Sequence, residues 1–255
     1  MKPTDFSSDP AKPPSSSPQN QAKTTGSTDF ASNSSAAKPK HPGAKPPCPE
    51  GKPEASALPT KKDPTLPPGS LPKLYEETCS EELLYEGRII RVHVDEVLLE
   101  NGKTAKREVV DHPGGVTVVV LTPENQFLFV RQFRYPYREV LLELPAGKLE
   151  PGEDPFLAMK REQLEETGTT GTDYHYLGEI YPSPGYCGEV IRLWTCRLDT
   201  LGKSRPDEDE FLETQAIPAV RALEMVMAGE IPDAKTQIGI LKAAKYYGLL
   251  RVSAP

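Results

Sequence analysis

The run Val116-Thr117-Val118-Val119-Val120-Leu121 constrains the fold of this chain more than any other stretch. Successive side chains of a strand point to opposite faces, so an apolar run without alternation marks a strand buried on both sides. Such a strand needs neighbours in its sheet and a covering layer above and below it. Punctuation bounds it: His112-Pro113-Gly114-Gly115 before and Thr122-Pro123-Glu124-Asn125 after. These residues favour turns and interrupt regular pairing.

The flanking segments supply the rest of the sheet. Leu83 to Leu99 alternates loosely, through Ile89, Val92, Val94 and Val97, and Glu100-Asn101-Gly102-Lys103 then turns the chain into Arg107-Glu108-Val109-Val110. Asn-Gly between such segments predicts a hairpin. Strands are expected at Gln126–Phe133, Leu141–Leu144, Tyr176–Ile180, Val190–Leu198 and Glu213–Ile217. Three helices are expected. One fills residues 156–167, with Asp154 as cap, Pro155 in the first turn and Gly168 as a left-handed stop. The others span Pro218–Ala228 and Ala234–Leu249, the latter capped by Asp233. The predicted class is α/β of the α+β kind: a mixed sheet sandwiched between helices.

Composition matters at one boundary. Residues Met1 to Pro72 hold 16 of the 28 prolines, nine lysines and six acidic residues. A Pro/Ser/Lys-rich segment with few aromatic residues cannot bury enough apolar surface to offset its ordering entropy, so 1–72 is expected to be a disordered tail. Residues 73–255 form the expected domain, with an N-terminal strand region at 73–112 and a catalytic core at 113–255. That part carries 21 basic and 31 acidic residues, which argues against nucleic acid as a partner. No apolar run reaches membrane length, so a cytoplasmic protein with no membrane partner is expected. Cys48, Cys79, Cys187 and Cys196 are widely scattered and form no C-x-x-C pair, which argues against both zinc and a disulfide framework.

The helix at 156–167 carries Glu162, Glu165 and Glu166. Positions i, i+3 and i+4 share a helix face, and like charges there destabilise an isolated helix by roughly 0.2–0.5 kcal/mol. Such a cluster is either a solvated face or a site for a hard cation. Magnesium takes oxygen ligands and often sits between carboxylates and substrate phosphates. A carbonyl from the Pro145-Ala146-Gly147 turn would be a natural further ligand.

The spacing G-x5-E-x7-R-E-x-x-E-E-x-G, from Gly147 to Gly168, resembles the Nudix box of hydrolases that cleave nucleoside diphosphates linked to another group. Glu143-Leu144-Pro145-Ala146-Gly147, Arg131-Gln132-Phe133-Arg134, Ser183-Pro184-Gly185-Tyr186, Pro206–Glu210 and the stretch from Gly229 to Thr236 are similar to the ADP-ribose pyrophosphatase branch. The likeness covers roughly Tyr85 to Leu250 and leaves out the tail. It implies the Nudix fold and water attack on a phosphorus of ADP-ribose, giving AMP and ribose 5-phosphate. It also implies two or three divalent ions, magnesium or manganese, held by the Ala146 carbonyl, Glu162, Glu166 and Glu210, with Glu165 beside them. Glu153 and Arg161 would pair to fix the loop against the helix. Glu208 matches the general base, with Glu189 as the rival base or a substrate contact. Arg134 matches a phosphate contact, against the plainer reading of a surface arginine paired with Glu139 or Glu143. Ile89, Arg107, Glu108 and Glu150 match substrate-binding positions, Arg107 and Glu108 reaching across a homodimer interface built from the N-terminal hairpin. Another nucleoside diphosphate sugar such as GDP-mannose is the alternative substrate, and an ADP-ribose sensor without turnover the alternative of another class. Gln163 and Thr169 depart from the pattern, since aliphatic residues usually stand there. His112, before a proline, reads as structural.

Overall fold

The computed structural model describes residues 73–205 and 211–250. A three-stranded antiparallel sheet comes first, ordered β1 (Glu77–Glu86), β2 (Arg91–Leu98), β3 (Thr104–Asp111). The second sheet has seven strands: β4 (Gly115–Leu121), β5 (Gln126–Arg134), β6 (Glu139–Glu143), β7 (Ala146–Lys148), β8 (Thr169–Ile180), β9 (Ile191–Leu201) and β10 (Leu212–Pro218). Its order is β10-β5-β4-β9-β8, with β6 on β5 and β7 on β4. Only β4 and β9 run parallel, so the sheet is mixed. Helices α1 (Pro155–Thr167), α2 (Ala219–Met227) and α3 (Ala234–Tyr246) complete the fold.

Every residue of β4 is buried, as an apolar run without alternation requires. Its side chains divide by parity. Val119 and Leu121 join Phe127, Phe129, Leu144, Leu223 and Ile240 beneath α2 and α3. Val116, Val118 and Val120 join Leu128, Met159 and Trp194 beneath α1. Two cores thus lie on opposite faces of one sheet, and each needs its own helical cover.

The predicted hairpin is a three-stranded meander. The stretch from Leu83 to Leu99 breaks where Gly87 N–H donates to the Ile90 carbonyl (2.9 Å), and β1 then begins at Glu77. The sequence of β1, Glu-Thr-Cys-Ser-Glu-Glu-Leu-Leu-Tyr-Glu, has no clean alternation because it is an edge strand with mostly exposed side chains. Strand β8 starts at Thr169 rather than Tyr176, and β9 runs on to Leu201. Their pairing shifts register three times, which hides the period-two signal. The three-residue β7 was not anticipated, and α3 stops at Tyr246 instead of Leu249.

Candidate active site

Helix α1 is built from its ends. The Asp154 carboxylate accepts from the amides of Phe156 (3.0 Å) and Leu157 (3.1 Å), and Pro155 occupies the first turn, where no amide proton is needed. At the other end Gly168 takes φ 68°, which glycine adopts without strain, and its N–H closes on the Leu164 carbonyl at 2.8 Å. On the helix so capped, Glu162 and Glu166 rest beside β7.

The loop before the helix is tied down by charge. Arg161 forks onto Glu153, Nε to Oε1 and Nη2 to Oε2, both at 3.0 Å. Glu153 Oε2 also accepts from the Glu150 amide (3.0 Å), which closes the turn 150–153. The Arg161 hydrogen bond holds the Glu153 carboxyl below the usual carboxylate range, and the same bond raises the Arg161 pKa. From its other edge, Arg161 Nη1 donates to Glu162 Oε1 (2.8 Å) and Glu165 Oε2 (3.0 Å). One guanidinium therefore aligns three of the four clustered carboxylates.

Strand β7 faces them closely. A Cβ on Gly147 would lie 1.8 Å from Glu162 Cδ, so the Glu162 carboxylate occupies the space that any side chain at 147 would need. Val118 N–H donates to the Pro145 carbonyl and Leu149 N–H to the Gly114 carbonyl, each at 3.1 Å. Thr117 and Ala146 are thus a non-hydrogen-bonded pair of the antiparallel ladder. The Ala146 N–H and carbonyl accordingly point away from β4. That N–H donates to Glu166 Oε2 at 2.9 Å, and Glu166 is only 3 % exposed. The carbonyl shares the side of the strand that faces Glu166. Two carboxylates and a carbonyl converging there are the hard oxygen donors that suit magnesium, so the residues fit a divalent cation.

The structure also shows where the other expected site residues stand. Glu189 lies against β4: a Cβ on Gly115 would sit 3.7 Å from its Oε1 and 3.2 Å from the Gly147 carbonyl oxygen. His112 Nδ1 is 3.5 Å from Glu189 Oε1 and accepts the Gly114 amide at 3.1 Å. Glu189 is 77 residues away from His112 in sequence, so no motif spacing signals this approach. Arg134 forks onto Glu143 (2.7 and 2.8 Å), its plainer expected partner, while lying within electrostatic reach of Glu166. Arg107 forks onto Glu76, Nε to Oε2 at 2.7 Å, Glu108 pairs in register with Val94, and Ile89 is exposed in the turn before β2. Arg107 and Glu108 lie on β3 of the smaller sheet, and Ile89 in the connection between its β1 and β2. Glu208 and Glu210 lie outside the described residues.

The two departures from the motif form one network. Gln163 is fully buried; its amide donates to Thr169 Oγ1 (3.1 Å) and its carbonyl accepts from the Tyr174 hydroxyl (2.9 Å). Thr167 and Thr169 hydroxyls join each other at 2.6 Å. Burial pushes the neighbouring Cys196 thiol up to about 12, so it stays neutral. Polar residues replace aliphatic packing here without cost in unsatisfied groups: among the described residues no buried side-chain nitrogen or oxygen lacks a partner.

Glu81, His93 and Asp95 in the smaller sheet also bring ligand atoms within 4.8 Å of one another. Arg91 pairs with Glu81 (3.4 Å) and Asp111 (3.2 Å) there, and His93 Nδ1 meets Asp95 at 2.6 Å, so each of these groups already has a partner within the smaller sheet. Among the described residues no helix is long and apolar enough to cross a membrane.

Comparison with known proteins agrees with this geometry. Residues 111–236 match the NUDIX domain, and residues 76–110 the nucleoside diphosphate sugar hydrolase N-terminal domain. The chain is 40 % identical over 169 residues to an ADP-ribose pyrophosphatase of Bacillus subtilis (strain 168), covering 66 % of this chain and 91 % of that protein. It is 40 % identical over 171 residues to a methanol dehydrogenase activator of Bacillus methanolicus, covering 66 % and 92 %. A solved structure described as an ADP compounds hydrolase shares the fold at TM-score 0.62 and 18 % identity, over 72 % of this chain and all of that one. Members of this family generally use divalent metal ions, as the donor set between β7 and α1 would require. The chain belongs to the Nudix hydrolase family.

Proposed function

We propose that this protein is a magnesium-dependent ADP-ribose diphosphatase. The observation that carries the reading is the convergence of the Ala146 carbonyl, Glu162 and Glu166 beside an arginine, Arg134, within reach of Glu166. A diphosphate bridge is doubly anionic and needs neutralisation before water can attack it. Divalent cations in this set supply that neutralisation and acidify water. Ala146, Glu162 and Glu166 would hold them, joined by Glu210 from the acidic segment. Arg161 and Glu153 keep the carboxylates aligned, with Glu165 at their edge. Arg134 would take the phosphate oxygens by its guanidinium fork.

The chemistry is one water added across one P–O bond. The water oxygen bonds to phosphorus, the bridging P–O bond breaks, and AMP and ribose 5-phosphate leave with the water's protons shared between a base and the phosphates. Glu208 is the proposed base, with Glu189 as its rival beside Gly115. Glu150 lines the same loop as Glu153. The name of the Bacillus subtilis relative supports ADP-ribose over GDP-mannose, because the motif itself reports the diphosphate and not the base or sugar.

A cytoplasmic homodimer belongs to the same proposal. The smaller sheet exposes Leu83, Leu84, Tyr85 and Ile89, an apolar set suited to a second copy. Arg107, Glu108 and Ile89 would then act on the neighbouring site.

The test is turnover by purified protein with ADP-ribose, GDP-mannose and other nucleoside diphosphate sugars in magnesium. Release of AMP from ADP-ribose at the highest kcat/KM is expected. Faster cleavage of GDP-mannose would reassign the substrate, and tight ADP-ribose binding without AMP release would make the protein a sensor. Sedimentation should give twice the chain mass.

A further inference from the structure

We propose that Lys235 is a positioning residue for diphosphate binding, acting through Glu143 on Arg134. This inference rests on the diphosphate-cleaving reading above. Glu143 closes β6 and is 1 % exposed, yet it is surrounded by two cations. Arg134 forks onto it, and Lys235 Nζ donates to its Oε2. Burial pushes the Glu143 carboxyl up, but the Arg134 fork and the Lys235 charge outweigh it and hold it at about 2. Lys235 Nζ also donates to Asp233 Oδ2 (3.1 Å), whose carboxylate caps α3 through the Thr236 amide (2.9 Å).

Two features set this cluster apart from an ordinary buried ion pair. Lysine is among the residues least often buried, and Lys235 is 9 % exposed; an apolar side chain would fill the space at lower desolvation cost. The cluster also adjoins the cation site from two directions. The Leu144 amide donates to Thr236 Oγ1 (2.9 Å), so the first turn of α3 grips the backbone two residues before Ala146. Arg134 itself lies within electrostatic reach of Glu166.

Charge explains what Lys235 adds. A lone Glu143 would neutralise the Arg134 guanidinium and leave little attraction for an anion. With Lys235 sharing the carboxylate, Glu143 fixes the direction of Arg134 while its charge is divided between two partners. Nε and Nη2 of Arg134 are engaged by Glu143, which leaves the Nη1 corner for a phosphate oxygen.

The experiment uses the full-length protein and steady-state hydrolysis of ADP-ribose at saturating magnesium, with thermal melting alongside. Lys235→Met, Arg134→Lys and the double variant are compared. Lys235→Met is expected to raise KM about tenfold, the scale of one lost charge-assisted hydrogen bond, with kcat changed less than about threefold. In the Arg134→Lys background the same change should leave KM where Arg134→Lys put it, because Lys235 acts through the guanidinium. An equal KM increase in both backgrounds overturns the proposal, as does a lowered melting temperature with KM unchanged. If Arg134→Lys leaves KM unaltered, Arg134 is no diphosphate contact and that part of the functional reading fails first. Should Lys235→Met not fold, Glu143→Asp keeps the charge and withdraws it by one methylene. It is expected to raise KM with the same dependence on Arg134, and an unaltered KM overturns the proposal.

Discussion

Replacing Gly147 by alanine separates site geometry from stability. The added Cβ would meet Glu162 Cδ at 1.8 Å, and ordinary van der Waals contact begins at 3.4 Å, so the carboxylate must move by about 1.6 Å. What yields is the far end of a flexible side chain rather than backbone. The cost to the fold is therefore one displaced rotamer, about 0.5–1.5 kcal/mol, together with the Arg161 hydrogen bond that the carboxylate gives up. For a domain of this size 1 kcal/mol corresponds to roughly 2–4 °C in Tm. The cost to turnover is far larger. Glu162 would leave its contact with Arg161 (2.8 Å) and the Ala146 side of β7, and a misplacement of about 1 Å in a catalytic constellation costs on the order of 100-fold. Initial rates of AMP release from ADP-ribose and a thermal melt on the same preparation are the two measurements. A rate within threefold of the parent would refute the assignment of Glu162 to the cation site. A collapse of Tm would show that Gly147 serves the backbone instead.

Glu166→Gln keeps a hydrogen-bond acceptor for the Ala146 amide but removes the charge, so turnover should fall by several orders of magnitude with the circular dichroism spectrum unchanged; near-normal turnover would remove Glu166 from the ligand set. Glu208→Gln should slow turnover more than Glu189→Gln, with little effect on substrate affinity, and the reverse order in single-turnover rates would move the base to Glu189. His93 supplies a pH test of the smaller sheet. Burial opposes its protonation, but the Asp95 hydrogen bond and the charges of Asp111 and Glu81 outweigh it, so its folded pKa stands above 6.5. A raised folded pKa stabilises the protonated form. The stability that His93 adds over a His93→Gln variant should be full below pH 6.5 and shrink as pH rises through the folded pKa. Denaturant melts at several pH values check this, and a difference that grows with pH would contradict it.

Local chemistry determined much of this protein before any tertiary contact was known. The ends of α1 were legible because Asp154, Pro155 and Gly168 act on their own neighbours, and capping depends on residues a few positions away. The two-sided burial of β4 was legible because a strand's period is two and the run has no polar face. The box spacing placed Glu162 and Glu166 on one helix face because a helix repeats every 3.6 residues. The tertiary structure decided what no local rule contains. Sequence pattern left Arg134 with two partners; the β5–β6 register sets it opposite Glu139, yet its guanidinium reaches along the sheet to fork onto Glu143. The fold brought Lys235 onto the same carboxylate from 92 residues away, and set Glu189 beside Gly115 and His112. It also explained Gln163, which looked misplaced in a packing position until Thr169 and Tyr174 closed around it. Each of these rests on contacts between different elements, and the energy of a buried charge or amide depends on partners that only the folded chain supplies.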